Sequence, residues 1–332
     1  MKILFSSVGR RGYLVKYFKQ ALSSGDQVWG VDSNPYAPGF AYCDRRFVLS
    51  EVVDPTYPDK LLNLCCENNI DIVIPLIDPE LEILAPQREL FTGHGIMLIV
   101  PPPHTVRMCF DKYLTFQFAR KNNLGTPFSV LSVEEALHCL EAETLNWPLL
   151  VKPRKGSASV DIYHCHDEIQ LRGAFDACPE PMIQQYLDGP EFGYDLFADD
   201  KFRPISVFCK KKLAMRAGET DKAVSTSDPV LIEFGLKLLN AVELFGPADV
   251  DVVLDSDGPK LLEINPRFGG GYPCSHMAGA DFCRKIIDIR NGQTLAPDVG
   301  SCPNGVCMLK QDEIIRPDWP ELTNDGSAKN HH

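Results

Sequence analysis

The chain has 332 residues, of which 44% are hydrophobic and 23% charged, and its net charge is −12. Those proportions describe an ordinary globular protein with enough apolar content for sizeable cores, in two or three sub-domains around one function. The acidic balance excludes general binding to nucleic acid, which needs a basic face, and no apolar run approaches the length of a membrane span.

Met1-Lys-Ile-Leu-Phe5 is too short for a signal sequence and runs into Ser-Ser-Val-Gly, so a cytoplasmic protein is expected. Twelve cysteines scattered along such a chain predict reduced thiols rather than a disulfide framework. His164-Cys165-His166 has no second ligand pair nearby, so no zinc site is expected there.

In chain order, residues 2–8 (KILFSSV) predict a first strand. Gly9-Arg-Arg-Gly12 follows as a tight turn, then an amphipathic helix from about Tyr13 to Leu22, then a strand from Gln27 to Asp32. This opens a doubly wound α/β unit, with Ser7 in place of the first glycine of a dinucleotide fingerprint and Asp32 near the position of a ribose-binding acid. An NAD(P)-binding protein is therefore one alternative. Leu61 to Asn68 predicts a helix and Asp71 to Pro75 a strand. Asp78 and Glu80 follow at the carboxyl end of that strand, either as substrate contacts or, preferred here, as the start of the next helix. A strand from Ile96 to Val100 ends at Pro101-Pro102-Pro103, the clearest boundary in the chain.

Leu149-Leu-Val-Lys152 predicts a strand that runs into a loop of small residues containing Gly156, Ser157 and Ser159, whose backbone N–H groups suit phosphates. Met182 to Leu187 predicts another strand. Lys210-Lys211-Lys212 and Arg216 form a basic run between strands. Near the end, two apolar runs flank Ser256-Asp257-Gly258, which reads as a three-residue hairpin loop with Gly258 in the left-handed position. That loop places Asp251 opposite Glu263, with Asn265 on the same face as Glu263. Carboxylates directly opposite repel unless a cation lies between them, and Asp, Glu and Asn are hard oxygen ligands suited to Mg²⁺. Arg267 lies two residues beyond Asn265 and suits a phosphoryl group.

Asp251 followed by Glu263-Ile-Asn265-Pro-Arg267 resembles the metal-binding end of the ATP-grasp superfamily. The segments GRRGYLVKYF, VDSNPYAPGFAYCD, IDIVIPLIDPELEILA and DKYLTFQFARKNNLGTP resemble, in the same order, the pre-ATP-grasp domain and its exit in single-unit proteins like the large subunit of carbamoyl-phosphate synthase. The resemblance runs over roughly residues 1–292 and implies an α/β fold: a Rossmann-like pre-ATP-grasp domain over 1–100, then a two-lobed ATP-grasp fold. Its small lobe with linker helix would take 101–190, its large lobe with the metal site 191–295, and 296–332 would form a C-terminal segment whose tail lacks order.

The resemblance implies ATP and Mg²⁺ (Mn²⁺ as a substitute) as cofactors. Asp251, Glu263 and Asn265 would bind metal. Lys112, Lys152, Gly156, Ser157, Ser159, Gln184, Gln185, Leu187 and Glu191 would bind nucleotide: the lysines and loop on phosphates, 184–187 on adenine, Glu191 on ribose. Arg267, Lys210 and Arg216 would be the catalytic residues. Ala158 and Asp161 stand where the family commonly has glycine, which points to a stiffer loop. The implied activity is ligation of a small-molecule carboxylate and amine through an acyl phosphate, with release of ADP. Bicarbonate phosphorylation of the carbamoyl-phosphate type and a non-catalytic ATP-binding regulator are the alternatives. No nucleic acid or membrane partner is expected, and a homodimer is the oligomer considered.

Overall fold

A computed structural model describes residues 1–156 and 161–317. Its described residues form two compact units. The first comprises Met1–Pro103, Asp281–Ala296 and the chain from Lys310. The second comprises His104–Ala280 and Pro297–Leu309. Among the described residues no helix is long and apolar enough to cross a membrane.

The first unit alternates strand and helix: β1 (Lys2–Ser6), α1 (Gly12–Ala21), β2 (Gln27–Asp32), β3 (Arg45–Val48), α2 (Tyr57–Asn68), β4 (Ile72–Pro75), α3 (Asp78–Leu84), α4 (Arg88–Gly93) and β5 (Met97–Leu98). Every strand pair is parallel and the sheet order is β3-β2-β1-β4-β5, the doubly wound arrangement anticipated. The central strands β1 and β4 read as continuous apolar runs because helices cover such sheets on both faces; Ile3, Leu4, Phe5, Val73 and Ile74 are all buried. Asp32 is committed to the turn, its carboxylate accepting from the Gly9 N–H (2.8 Å) and the Asn34 N–H (2.9 Å). Asp78 and Glu80 sit in the first turn of α3, which has Ile77 at its cap and no side-chain cap bond. Glu80 instead turns inward, fully buried, and accepts from the Tyr57 hydroxyl at 2.5 Å.

The second unit has two sheets. Helices α5 (Pro103–Phe110) and α6 (Lys112–Lys121) lead into it. The smaller sheet is built from β6 (Ser129–Val130), β7 (Leu149–Pro153), β8 (Tyr163–Cys165) and β9 (Pro181–Gln185), in the order β6-β9-β7-β8 and antiparallel throughout. Helices α7 (Val133–Glu141) and α8 (Glu168–Ala177) close its core around Leu149, Val151, Leu171 and Ile183. The larger sheet comprises β10 (Glu191–Ala198), β11 (Pro204–Arg216), β12 (Glu219–Thr226), β13 (Gly246–Asp255), β14 (Gly258–Asn265) and β15 (Cys307–Leu309), in the order β14-β13-β10-β11-β12-β15. Helix α9 (Pro229–Ala241) buries Leu231, Leu238 and Leu239 against Tyr194, Val207, Val250 and Ile264. Helix α10 (Tyr272–Met277) follows three consecutive glycines, Gly269, Gly270 and Gly271, and α11 (Phe282–Arg290) belongs to the first unit.

The hairpin of β13 and β14 differs from the expected register in one respect. Its turn has two residues, since Asp255 pairs with Gly258, Leu254 with Pro259 and Val252 with Leu261. A bulge then adds Leu262 to β14, and from there Asp251 faces Glu263 and Asp249 faces Asn265. Gly258, at φ +119°, closes the shorter turn. The bulge restores the alternation that puts the acids on one face, while Val250, Val252, Leu261 and Ile264 fill the core on the other.

Two glycines clamp this hairpin. A Cβ at Gly125 would lie 2.3 Å from the Pro259 carbonyl oxygen, and one at Gly189 would lie 2.3 Å from that of Leu254. Backbone bonds accompany both approaches, from the Leu261 N–H to the Gly125 carbonyl (2.8 Å) and from the Leu254 N–H to the Pro190 carbonyl (3.0 Å).

Candidate nucleotide and metal site

Asp249, Asp251, Glu263 and Asn265 share the polar face of the hairpin. Asn265 Nδ2 donates to Glu263 Oε1 at 3.2 Å, which fixes the amide so that its own oxygen faces away from that carboxylate. Burial raises the Asp251 pKa, and the neighbouring Asp249 and Glu263 carboxylates raise it further against the opposing effect of Lys212. These are crowded acids whose charge calls for a cation.

Cations surround them. Lys212 Nζ lies 2.6 Å from Asp251 Oδ1 and 3.7 Å from Glu191 Oε2. Lys112 Nζ lies 3.5 Å from Glu263 Oε2 and also bonds the Gly156 carbonyl. Lys112 is held there by the start of α6: Asp111 caps the helix by accepting from the Tyr113 and Leu114 N–H groups, and the Lys112 N–H donates to the Arg154 carbonyl at 2.9 Å. Arg154 Nη2 in turn meets Asp111 Oδ2 at 2.5 Å. Lys152 ends the apolar run of β7 and is buried. Burial, then the nearby Lys112 charge, bring its pKa down to about 8, with Glu263 and Asp251 opposing.

Gly156, the first of the small residues expected at phosphates, has a φ of +105°, which requires glycine. Ser157, Ala158 and Ser159 lie outside the described residues. Asp161 adopts φ +55°, the left-handed conformation that aspartate tolerates better than most.

On β9, Gln184 is buried and its Nε2 donates to Ser129 Oγ at 2.9 Å, leaving the carbonyl end of the amide to accept from a base. The Gln185 N–H donates to the Phe128 carbonyl at 2.8 Å, so its backbone offers a ligand only its own carbonyl. Leu187 follows the end of that strand. Glu191 opens β10 opposite Val253 and beside Lys212.

Lys210 and Lys212 point to the same face of β11, as period two requires, while Lys211 is exposed. Both stems pass over Gly193, where a Cβ would lie 3.4 Å from Lys210 Cε and 3.5 Å from Lys212 Cε. Lys210 is 1% exposed and its Nζ meets Asp195 Oδ2 at 2.5 Å. Arg216 is at the far end of β11, with about half its side chain exposed (49%), and ion-pairs Asp221 at 3.0 Å. Arg267 Nη1 lies 3.5 Å from Asp249 Oδ2.

The structure thus gathers Lys112, Lys152, Asp251, Glu263 and Asn265 in contact or close electrostatic range, with Lys210 and Arg267 joined to the group through Asp249. Arg216 stands at the tip of its hairpin. Sequence reasoning missed Lys212, Asp249 and Asp195. Alternation on β11 was the available signal for Lys212, because any strand that aims Lys210 at the site aims Lys212 there too.

Two family models match the chain, "PylC-like, N-terminal domain" over residues 3–99 and "ATP-grasp in the biosynthetic pathway with Ter operon" over residues 177–309. A curated relative, the uncharacterized protein y4rH of Sinorhizobium fredii, is 24% identical over 189 residues, 51% of this chain but only 38% of that protein. The D-alanine–D-alanine ligase of Stutzerimonas stutzeri is 27% identical over 219 residues, 60% of this chain and 68% of the ligase. Among solved structures, the biotin carboxylase domain of Hydrogenobacter thermophilus 2-oxoglutarate carboxylase, in complex with MgADP, ADP and bicarbonate, superposes with a TM-score of 0.72 at 17% identity, covering 91% of this chain and 72% of that one. The two models in this order, with a doubly wound sheet ahead of two antiparallel ones, give this chain a PylC-like N-terminal domain followed by an ATP-grasp fold.

Proposed function

We propose that this protein is an ATP- and Mg²⁺-dependent ligase that joins a carboxylate to an amine through an acyl phosphate and releases ADP and phosphate. One observation carries the reading: crowded hard-oxygen donors, Asp251 opposite Glu263 beside Asn265, face Lys112, Lys152 and Lys212. A polyphosphate with a divalent cation matches that pattern of charge. The D-alanine–D-alanine ligase relatives support ligation, and the MgADP bound in the carboxylase neighbour supports the nucleotide and metal.

The residues present fit Mg²⁺. All three side chains offer oxygen, and the raised Asp251 pKa marks an acid that gains from a nearby cation. Bound there, the metal would neutralise phosphate charge and polarise the terminal phosphorus. Lys112 and Lys152 would hold the phosphates, Glu191 the ribose, and the Gln184 amide carbonyl with the Gln185 backbone carbonyl the adenine edge. Arg267 would hold the terminal phosphoryl group in line with the incoming carboxylate. A carboxylate oxygen attacks that phosphorus, the bond to ADP breaks, and an acyl phosphate forms. The amine nitrogen then attacks the acyl carbon, phosphate leaves and the nitrogen loses a proton. Twelve free cysteines favour a reducing, cytoplasmic setting.

The test is a screen of carboxylate and amine pairs for ADP release, with bicarbonate alone as control. Carboxylate labelled with oxygen-18 should deliver label into the released phosphate. Release of AMP, or amide formation with unlabelled phosphate, overturns the mechanism.

A further inference from the structure

The site holds one acid that the metal motif does not include. Asp249 lies two residues before Asp251 and directly opposite Asp195 of β10. Two carboxylates facing each other across a sheet destabilise it unless each finds a cation. Here each does. Asp195, 2% exposed, takes Lys210 at 2.5 Å and the hydroxyl of Ser275, which comes from α10. Asp249 takes Arg267 at 3.5 Å on its other side. Lys210 sits between the two acids, and its pKa is raised by both against the opposing effect of burial. The charges therefore alternate from the core outward: Asp195, Lys210, Asp249, Arg267.

The backbone is shaped around this row. A Cβ at Gly269 would lie 2.3 Å from Asp249 Cγ, so the absence of a side chain there is what admits the carboxylate. The guanidinium is consequently gripped two residues upstream of a glycine that the same carboxylate fills. Burying such pairs costs desolvation, and a simple apolar packing would fill the volume as well. The arrangement makes sense if the orientation of the last cation matters.

We propose that Asp249 is a positioning residue: with Lys210 and Asp195 behind it, it aims the Arg267 guanidinium at the terminal phosphoryl group, and it is not itself a metal ligand. This rests on the nucleotide-site reading above. It also makes Lys210 a support of that aim rather than a group that touches substrate.

The experiment compares affinities for ADP and for the non-hydrolysable ATP analogue AMP-PNP, each with Mg²⁺, by calorimetry on the full chain. Asp249→Asn should weaken AMP-PNP about tenfold, the scale of one charge-assisted hydrogen bond, and leave ADP within about twofold. Arg267→Ala should do the same, and the double variant should be no worse than Arg267→Ala alone, because coupled residues are not additive. Mn²⁺ binding in the presence of ADP, followed by electron paramagnetic resonance, should be unchanged in Asp249→Asn. Additive losses, or an unchanged AMP-PNP affinity in Asp249→Asn, overturn the proposal. Lost Mn²⁺ binding also overturns it and makes Asp249 a ligand. Failure of the wild-type protein to bind either nucleotide would instead sink the nucleotide-site reading. Lys210→Met paired with Asp195→Leu provides a variant with no orphaned buried charge; it should reproduce the selective loss of AMP-PNP affinity, and retention of wild-type selectivity would remove Lys210 and Asp195 from the proposal.

Discussion

Lys212 reaches Asp251 across an intervening strand. Its Nζ lies 2.6 Å from Asp251 Oδ1 although β10 separates β11 from β13, and it can do so because Gly193 on β10 leaves the path open. This lysine is the ion-pair partner of Asp251, as Lys112 is of Glu263 and Arg267 of Asp249. A divalent cation beside the same acids would take over part of that duty.

Lys212→Met should therefore lower stability without metal by ~1–3 kcal/mol, the cost of stranding a charged, half-buried acid. Millimolar Mg²⁺ should restore more of the melting temperature in the variant than in wild type. A thermal melt with and without Mg²⁺ checks this, and equal metal effects in both proteins would contradict it.

Lys152 gives a pH prediction. Its pKa falls from an ordinary 10.5 to about 8 in the fold. Between those values the unfolded chain holds the proton and the folded protein does not, so this group's contribution to stability rises with pH across roughly 8 to 10.5. Below pH 8 both states are protonated and the full burial penalty remains. A phosphate placed beside Lys152 favours its charged form, so nucleotide binding near pH 8.5 should take up a fraction of a proton, and ATP affinity should weaken as pH rises past about 8. Calorimetry in buffers of different ionisation enthalpy measures the uptake, which Lys152→Met should abolish.

Gln184 gives a base-specificity prediction. Ser129 fixes its amide so that the carbonyl end is left to accept. The wild-type protein should prefer ATP over ITP, which lacks the amino group, by about tenfold, the value of one buried hydrogen bond. Gln184→Leu should remove most of that preference. Equal ATP and ITP affinities in wild type would dismiss Gln184 as the base reader.

Gly189 tests the hairpin clamp. A Cβ there would lie 2.3 Å from a backbone oxygen, Leu254 O, which cannot swing aside as a flexible side chain can. Gly189→Ala should cost ~1–3 kcal/mol in urea unfolding, as overpacking does, and should weaken Mg²⁺-dependent nucleotide binding. Gly173→Ala, with open space around its Cβ and a place inside α8, is the control and should be neutral or stabilising.

Four strands of the N-terminal sheet were legible in the sequence because each is a short apolar run punctuated by Gly, Pro or an acid, whereas β3, at the sheet edge and opening with Arg45-Arg46, carries no such run and was missed. The opposition of Asp251 and Glu263 was legible too, although by a different count from the true one: a three-residue loop and a two-residue turn plus a bulge bring the same pair together. Nothing local marks Leu262 as the extra residue. The roles of Asp249 and Asp195 were hidden for another reason. Each depends on which strand lies beside which in the order β13-β10-β11, and that order follows from packing across more than fifty residues of chain rather than from any spacing along it. Glu80 shows the opposite failure. Its position after Asp78-Pro79 reads as a helix start, and it is in the first turn, but the fold turns its carboxyl inward to Tyr57.

The bulge at Leu262 separates two kinds of tolerance. Between the turn and the bulge, the hairpin pairs in one frame; beyond it, the acids pair in another. A residue inserted at Ser256-Asp257 can be absorbed by the exposed turn, which leaves the acid face where it is. Straightening the bulge with Leu262 kept, so that Leu262 itself pairs with Asp251, has no such outlet. It would merge the two frames and carry Glu263 and Asn265 toward the core while Asp251 stayed outside. In this hairpin a residue that touches no ligand decides whether a metal motif, intact in its letters, faces the metal at all.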